Sequence, residues 1–232
     1  MNFNQFQRTL LLLGESAFNR LRISHVTVVG CGAVGSFAIE ALARAGIGHL
    51  TLIDGDTVAE SNINRQLCAT HETLGQLKTA VLAQRIHTIC PETTVQTVDC
   101  FLDAENVKDL IPPNTTFIID AIDTVAGKIP LILYAQNQNI PIISSMGAAM
   151  KTDFTQIKVA PLNQTRVCPL AARVRKMLKE RGADLTFPCV FSTESPAGDH
   201  QPNRQMGSLV TITGLFGLIL ANEVIKRISS HE

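Results

Sequence analysis

No two of the six cysteines in this 232-residue chain stand as Cys-x-x-Cys, and no apolar leader with a cleavage site precedes them. Cys31, Cys68, Cys90, Cys100, Cys168 and Cys189 are scattered, so reduced thiols in the cytoplasm are expected rather than a disulfide framework. A structural zinc, whose ligands usually arrive in close-spaced pairs, is disfavoured by the same absence. Net charge is missing too. Twenty Lys plus Arg balance twenty Asp plus Glu, so only a local patch could steer the chain toward nucleic acid. There is no internal repeat and no low-complexity tract. The uncharged run LVTITGLFGLILA falls short of the ~20 residues that a membrane span needs. Glu223, Lys226 and Arg227 follow it, so it is expected to lie in a buried or dimer-interface helix, with peripheral membrane contact left open.

Hydrophobic residues make up 45% and charged residues 17%, a globular composition long enough for a full core. One domain is expected, with an N-terminal helical arm (1–21), a core (22–150) and a C-terminal extension (151–232). In the core, VTVV at 26–29 reads as a strand, and 34–45 carries apolar residues at helical spacing. The alternation continues with strand 49–53, helix about 75–89, strand 94–98, helix about 103–111, strand 116–120, helix about 127–138 and strand 140–144. That order predicts an α/β, Rossmann-like doubly wound fold: a mostly parallel sheet with helices on both faces and a C-terminal α/β extension. The extension holds a strand-like TQIKVA, a basic helix around 169–181, FPCVF, a polar loop about 194–207 and an apolar helix about 208–228. It reads as cover for the sheet.

GCGAVG at 30–35 lies between strand and helix, the context a G-x-G-x-x-G nucleotide turn requires. Gly30 permits the sharp turn, Gly32 the close approach of phosphate, and Gly35 the close packing of helix on strand. The helix N-terminus offers free N–H groups to an anion. Asp54, about 20 residues on, suits ribose hydroxyls. These features fit NAD, FAD, S-adenosylmethionine and ATP equally well.

Further residues favour ATP. Asp54-Gly55-Asp56 is followed by SNINRQ at 61–66, by Gly75 with Lys78, and by DAID at 120–123. A hydride-transfer enzyme has no need of this set, whereas attack at an α-phosphate needs cations on the leaving pyrophosphate. Arg65 and Lys78 are the candidate cations, and Asp123 is the candidate Mg²⁺ carboxylate. Asp56 serves either the nucleotide or only the turn.

GCGAVGS, LIDGD, SNINRQ, GQLK and DAID together resemble the superfamily of ubiquitin-activating enzymes and the thiamin and molybdopterin sulfur-carrier adenylyltransferases. The resemblance implies ATP bound by the glycine loop, by Asp54 at the ribose, by Asn62, Asn64, Arg65 and Lys78 at the phosphates, and by Asp123 through Mg²⁺. Ser61, Asp56, Gln66 and Thr124 complete the candidate contacts. A structural Na⁺ or K⁺ is left open.

Within the superfamily, RTLLLLGESAFNRL, EALARAGIGHLTLID, IIDAIDTVAGKIPLI, DFTQIKVA, CPLAARVRK and CVFSTE resemble the tRNA threonylcarbamoyladenosine dehydratases. The paired Cys-x-x-Cys common in the sulfur-carrier branch is lacking. The implied activity is ATP-dependent adenylation of the carboxylate of threonylcarbamoyladenosine in tRNA, followed by ring closure. Also implied are a homodimer, with Arg8 matching an arginine that reaches the partner's ATP, and a cysteine desulfurase or other sulfur-transfer partner. Ala33 stands where the family usually has glycine, and the segments 182–187 and 195–207 are short. Arg166, Arg173, Arg175, Lys176, Lys179 and Arg181, opposed by Glu180, are either a contact for tRNA phosphates or a solvated helix face. Cys189 reads as a core residue. The alternatives are activation of a carrier protein's C-terminal glycine, a scaffold without turnover, and an NAD-dependent oxidoreductase.

Overall fold

VTVV becomes the middle of the sheet. β1 (His25–Val29) is buried at every residue, as a strand covered on both faces must be. The structure is a computed structural model that describes residues 3–196 and 206–230. Before β1 come α1 (Gln7–Leu13) and α2 (Glu15–Ile23). After it run α3 (Gly35–Ala45), β2 (His49–Ile53), α4 (Lys78–Ile89), β3 (Thr94–Val98), α5 (Val107–Leu110) and β4 (Phe117–Asp120). The chain continues through α6 (Val125–Asn137), β5 (Ile142–Ser145), β6 (Ile157–Pro161), α7 (Pro169–Lys179), β7 (Pro188–Ser192) and α8 (Val210–Ser230).

The seven strands lie in the order β3-β2-β1-β4-β5-β7-β6. All neighbours are parallel except the pair β6 and β7. The order reverses between β1 and β4, and ligands of open α/β sheets bind at the carboxyl side of such a switch point. β3 and β6, at the edges, have no buried residue.

The extension does more than cover the sheet: β7 and β6 lengthen it by two strands beside β5. Pro188 is the first residue of β7 and pairs with Pro161, the last of β6, so neither proline interrupts the ladder. Gly14, with φ 81°, divides the expected N-terminal helical arm into two helices. Gly75, with φ 79°, delays α4 until Lys78. The helix expected over 103–111 is one turn, because the Asp103 carboxylate accepts from the N–H groups of Glu105 and Asn106 and holds a turn there. Most of the polar loop expected at 194–207 lies outside the described residues.

α8 packs on α3, the helix that starts at the glycine turn. Contact is close at Gly217, where a Cβ would stand 2.2 Å from the Val34 carbonyl oxygen. Phe216, Leu220 and Val224 are fully buried along it, each contributing roughly 1.5–3 kcal/mol. Among the described residues, no helix is long and apolar enough to cross a membrane.

Candidate active site

At the switch point the two strand ends touch. A Cβ on Gly30, whose φ is 95°, would stand 2.6 Å from the carbonyl oxygen of Ala121, the residue after β4. One on Gly35 would stand 1.7 Å from the Gly30 carbonyl oxygen. Only glycine fits either place, and the glycine loop is thereby pressed against the turn that carries Asp123. Gly32 is more open, with the Gln66 side-chain amide 3.7 Å from where its Cβ would be.

Asp54 holds this loop from the end of β2. One carboxylate oxygen accepts from the Cys31 N–H at 2.6 Å and the other from the Asp56 N–H at 2.8 Å. Asn62 is buried, and its side-chain oxygen accepts from the Ala59 N–H. The Leu67 N–H donates to Ser36 Oγ, tying the SNINRQ segment to the first turn of α3. Gln66 is buried beside Gly32. Arg65 is half-buried, with its guanidinium turned onto the Ser61 carbonyl at 2.7 Å and the Asn64 side-chain oxygen at 2.9 Å. Ser61 and Asn64 are themselves exposed.

Two buried lysines flank the crevice, and their partners differ. Lys78 opens α4, its N–H donating to the Asp56 carbonyl and its ammonium meeting Asp56 Oδ2 at 2.7 Å. The Lys78 side chain is 5% exposed while that of Asp56 is 53% exposed. An ammonium has three donors, and this one has a single partner among the described residues. Asp56 links it to the glycine loop, since the Asp54 carboxylate takes both the Asp56 N–H and the Cys31 N–H. Lys128 is saturated instead. Fully buried in α6, it donates to Asp120 Oδ2 at 2.7 Å, Ser144 Oγ at 3.1 Å and the Ser145 carbonyl at 2.9 Å. Asp120 Oδ1 accepts from the Ile122 N–H, so the network sets the turn leading to Asp123.

Asp123 and Thr124 are exposed on that turn, and Asp123 has no hydrogen-bond or ion-pair partner among the described residues. Arg8 is exposed on α1. The neighbouring Phe6 packs with Phe18 against Gly46 at the far end of α3, so this chain does not bring Arg8 to its own glycine loop. The structure thus assembles Gly30, Gly32, Gly35, Asp54, Asp56, Gln66 and Lys78, sets Arg65 on the adjoining segment, and presents Asp123 from the facing turn.

Lys128 and Phe101 were not legible as site residues. Phe101, just past β3, is 64% exposed, and its ring lies within 3 Å of where a Gly55 Cβ would be. It forms an apolar wall beside Asp54 and Asp56. An exposed aromatic just after a strand is the signal that points to it. Three of the thiols are poor nucleophiles here. Burial pushes Cys31 and Cys189 well up, and Cys68 up to about 11. Cys189 is a core residue at 0% exposure. Among the described residues no three His, Cys, Asp or Glu side chains gather to hold a metal.

The ThiF family pattern matches residues 6–232. The chain is 39% identical over 227 residues to tRNA threonylcarbamoyladenosine dehydratase of Haemophilus influenzae, covering 90% of this chain and 87% of that one. It is 38% identical to the Escherichia coli protein of the same name, covering 96% and 92%. The solved structure of that E. coli enzyme in complex with ATP is similar, with a TM-score of 0.91 and coverage of 97% and 94%. The chain therefore belongs to the ThiF family and, within it, to the tRNA threonylcarbamoyladenosine dehydratases.

Proposed function

We propose that this protein uses ATP to adenylate the carboxylate of threonylcarbamoyladenosine in tRNA and then closes the ring. The carboxylate oxygen attacks the α-phosphorus and pyrophosphate leaves. The adjacent carbamoyl group then attacks the activated carbonyl, and AMP departs with the former carboxylate oxygen. Ring closure is intramolecular, so orientation supplies much of its acceleration and no protein nucleophile is needed, in keeping with the raised thiols. The observation that carries the reading is the Lys78 ammonium, buried at the glycine loop with one partner among the described residues and two further donors to offer phosphate oxygens. The name of the ATP-bound relative supports it.

Asp123, exposed and without a partner among the described residues, suits a Mg²⁺ ion whose remaining ligands are water and phosphate oxygens. Bound there, the metal would neutralise charge on the departing pyrophosphate. Asp54 fixes the loop, Lys78 meets the phosphates and Arg65 turns from Ser61 toward them. The 22–150 core holds the nucleotide while the 151–232 extension carries the RNA. In a homodimer Arg8 would serve the partner's site, since it lies far from its own.

Incubation with ATP, Mg²⁺ and tRNA bearing threonylcarbamoyladenosine should release AMP, with loss of one water from the nucleoside by mass spectrometry. Intact ATP would end the reading, and pyrophosphate exchange driven by a carrier protein without tRNA would replace it with carrier activation. If Phe101 is the wall on which adenine packs, Phe101→Ala should raise the KM for ATP about tenfold with kcat little changed, the size of one aromatic contact. An unchanged KM would remove Phe101 from the site.

A further inference from the structure

We propose that the exposed face of α7 is a track for the phosphate backbone of RNA, starting at Arg166 beside the nucleotide crevice. The proposal rests on the reading above for which RNA is bound, but its geometry is independent.

α7 divides cleanly. Ala171, Val174 and Leu178 are buried, while Arg173, Lys176 and Lys179 are exposed. From Arg173 to Lys179 the helix rises about 9 Å, and exposed Arg166 and Arg181 extend the row at its two ends. None of these five cations forms an ion pair among the described residues. The acids nearest in sequence are Glu180 and Asp184, and the Asp184 carboxylate is engaged by the N–H and hydroxyl of Thr186. Arg175 has a different task. Half-buried, it donates to Thr165 Oγ1 at 2.6 Å and to the Leu162 and Thr165 carbonyls, pinning the helix to the preceding loop.

The start of the track is fixed at the reacting end of the sheet. Cys168 Sγ caps α7, accepting from the Ala171 N–H at 3.5 Å, and also accepts from the Gly147 N–H at 3.3 Å. Gly147 follows β5, and β5 runs beside β4 with Ser144 opposite Asp120. The first turn of α7 therefore stands at the same edge of the sheet as Asp123. The Cys168 N–H also donates to the Arg166 carbonyl at 2.7 Å across Val167, whose φ is 64°, which folds Arg166 back at this end. A row of unpaired cations leading away from the crevice matches a backbone that carries one charge per nucleotide. It would position an RNA without reading its bases.

The test is Arg173→Gln/Lys176→Gln/Lys179→Gln in the full chain, with Arg44→Gln/Lys108→Gln/Lys226→Gln as a charge-matched control. Binding is measured against modified tRNA and against an unmodified transcript of the same sequence. The triple variant should bind both RNAs roughly tenfold more weakly near 0.15 M salt, with a log K against log salt slope shallower by about two to three. ATP affinity and Tm should match the parent, and the control should bind like the parent. A triple variant with the parent's Kd and salt slope would overturn the track while leaving AMP release from modified tRNA, and so the functional reading, untouched. A parent that binds neither RNA would overturn the track, and its failure to release AMP would separately remove the functional reading. Capture of the parent by anionic vesicles in preference to tRNA would also overturn it.

Discussion

Lys78→Gln is expected to lower the rate of pyrophosphate release by about 10²–10³-fold, the size of losing one preorganised charge partner of a developing anion. The fold should survive. Asp56, the partner left behind, has a side chain 53% exposed and is solvated by water once the ammonium is gone, so the stability cost is expected to be about 1 kcal/mol or less. Lys78→Arg should recover part of the rate, since it restores the charge with a different shape. The measurement is single-turnover pyrophosphate release beside a thermal melt. A variant that keeps the parental rate, or one that loses rate only because it unfolds, would remove Lys78 from the phosphate site.

What was legible in the chain was what is local. Alternation of β-branched runs with helical spacing marked the five core strands, and GCGAVG announced its own turn because glycine alone tolerates the contacts at Gly30 and Gly35. The end of β2 at Asp54 was legible for the same reason. The sheet edge beyond β5 was not: Pro188 in FPCVF looks like an interruption until its place as the first residue of β7 is known. Nor could the different states of Lys78 and Lys128 be read. Each is a lysine near the start of a helix, and only the fold shows that one ammonium has a single acid partner among the described residues while the other is enclosed by three groups from β4 and β5. Arg175 likewise looked like part of the basic face, and its hydrogen bonds to Thr165 and Leu162 remove it.

Lys128→Met should be the most destabilising change considered, at about 3–5 kcal/mol by urea unfolding. Lys128 and Asp120 are both 0% exposed and 2.7 Å apart. Removing the cation leaves a carboxylate in the interior with the Ser144 hydroxyl and the Ile122 N–H as its partners among the described residues. Against a typical domain stability of about 5–15 kcal/mol, that loss runs from about a fifth of the total to all of it. Much of the cost comes from the stranded charge, so Lys128→Met/Asp120→Asn should recover part of it, a non-additivity expected of residues in one network. The same double variant separates stability from chemistry. Asp120 Oδ1 orders the turn that carries Asp123, so a variant that folds again should still adenylate slowly at saturating ATP. Urea midpoints for the parent, single and double variants, with pyrophosphate release for the double, decide the point. A single variant as stable as the parent would show that the buried pair contributes nothing, and a double variant with full activity would show that the turn holds its shape without it.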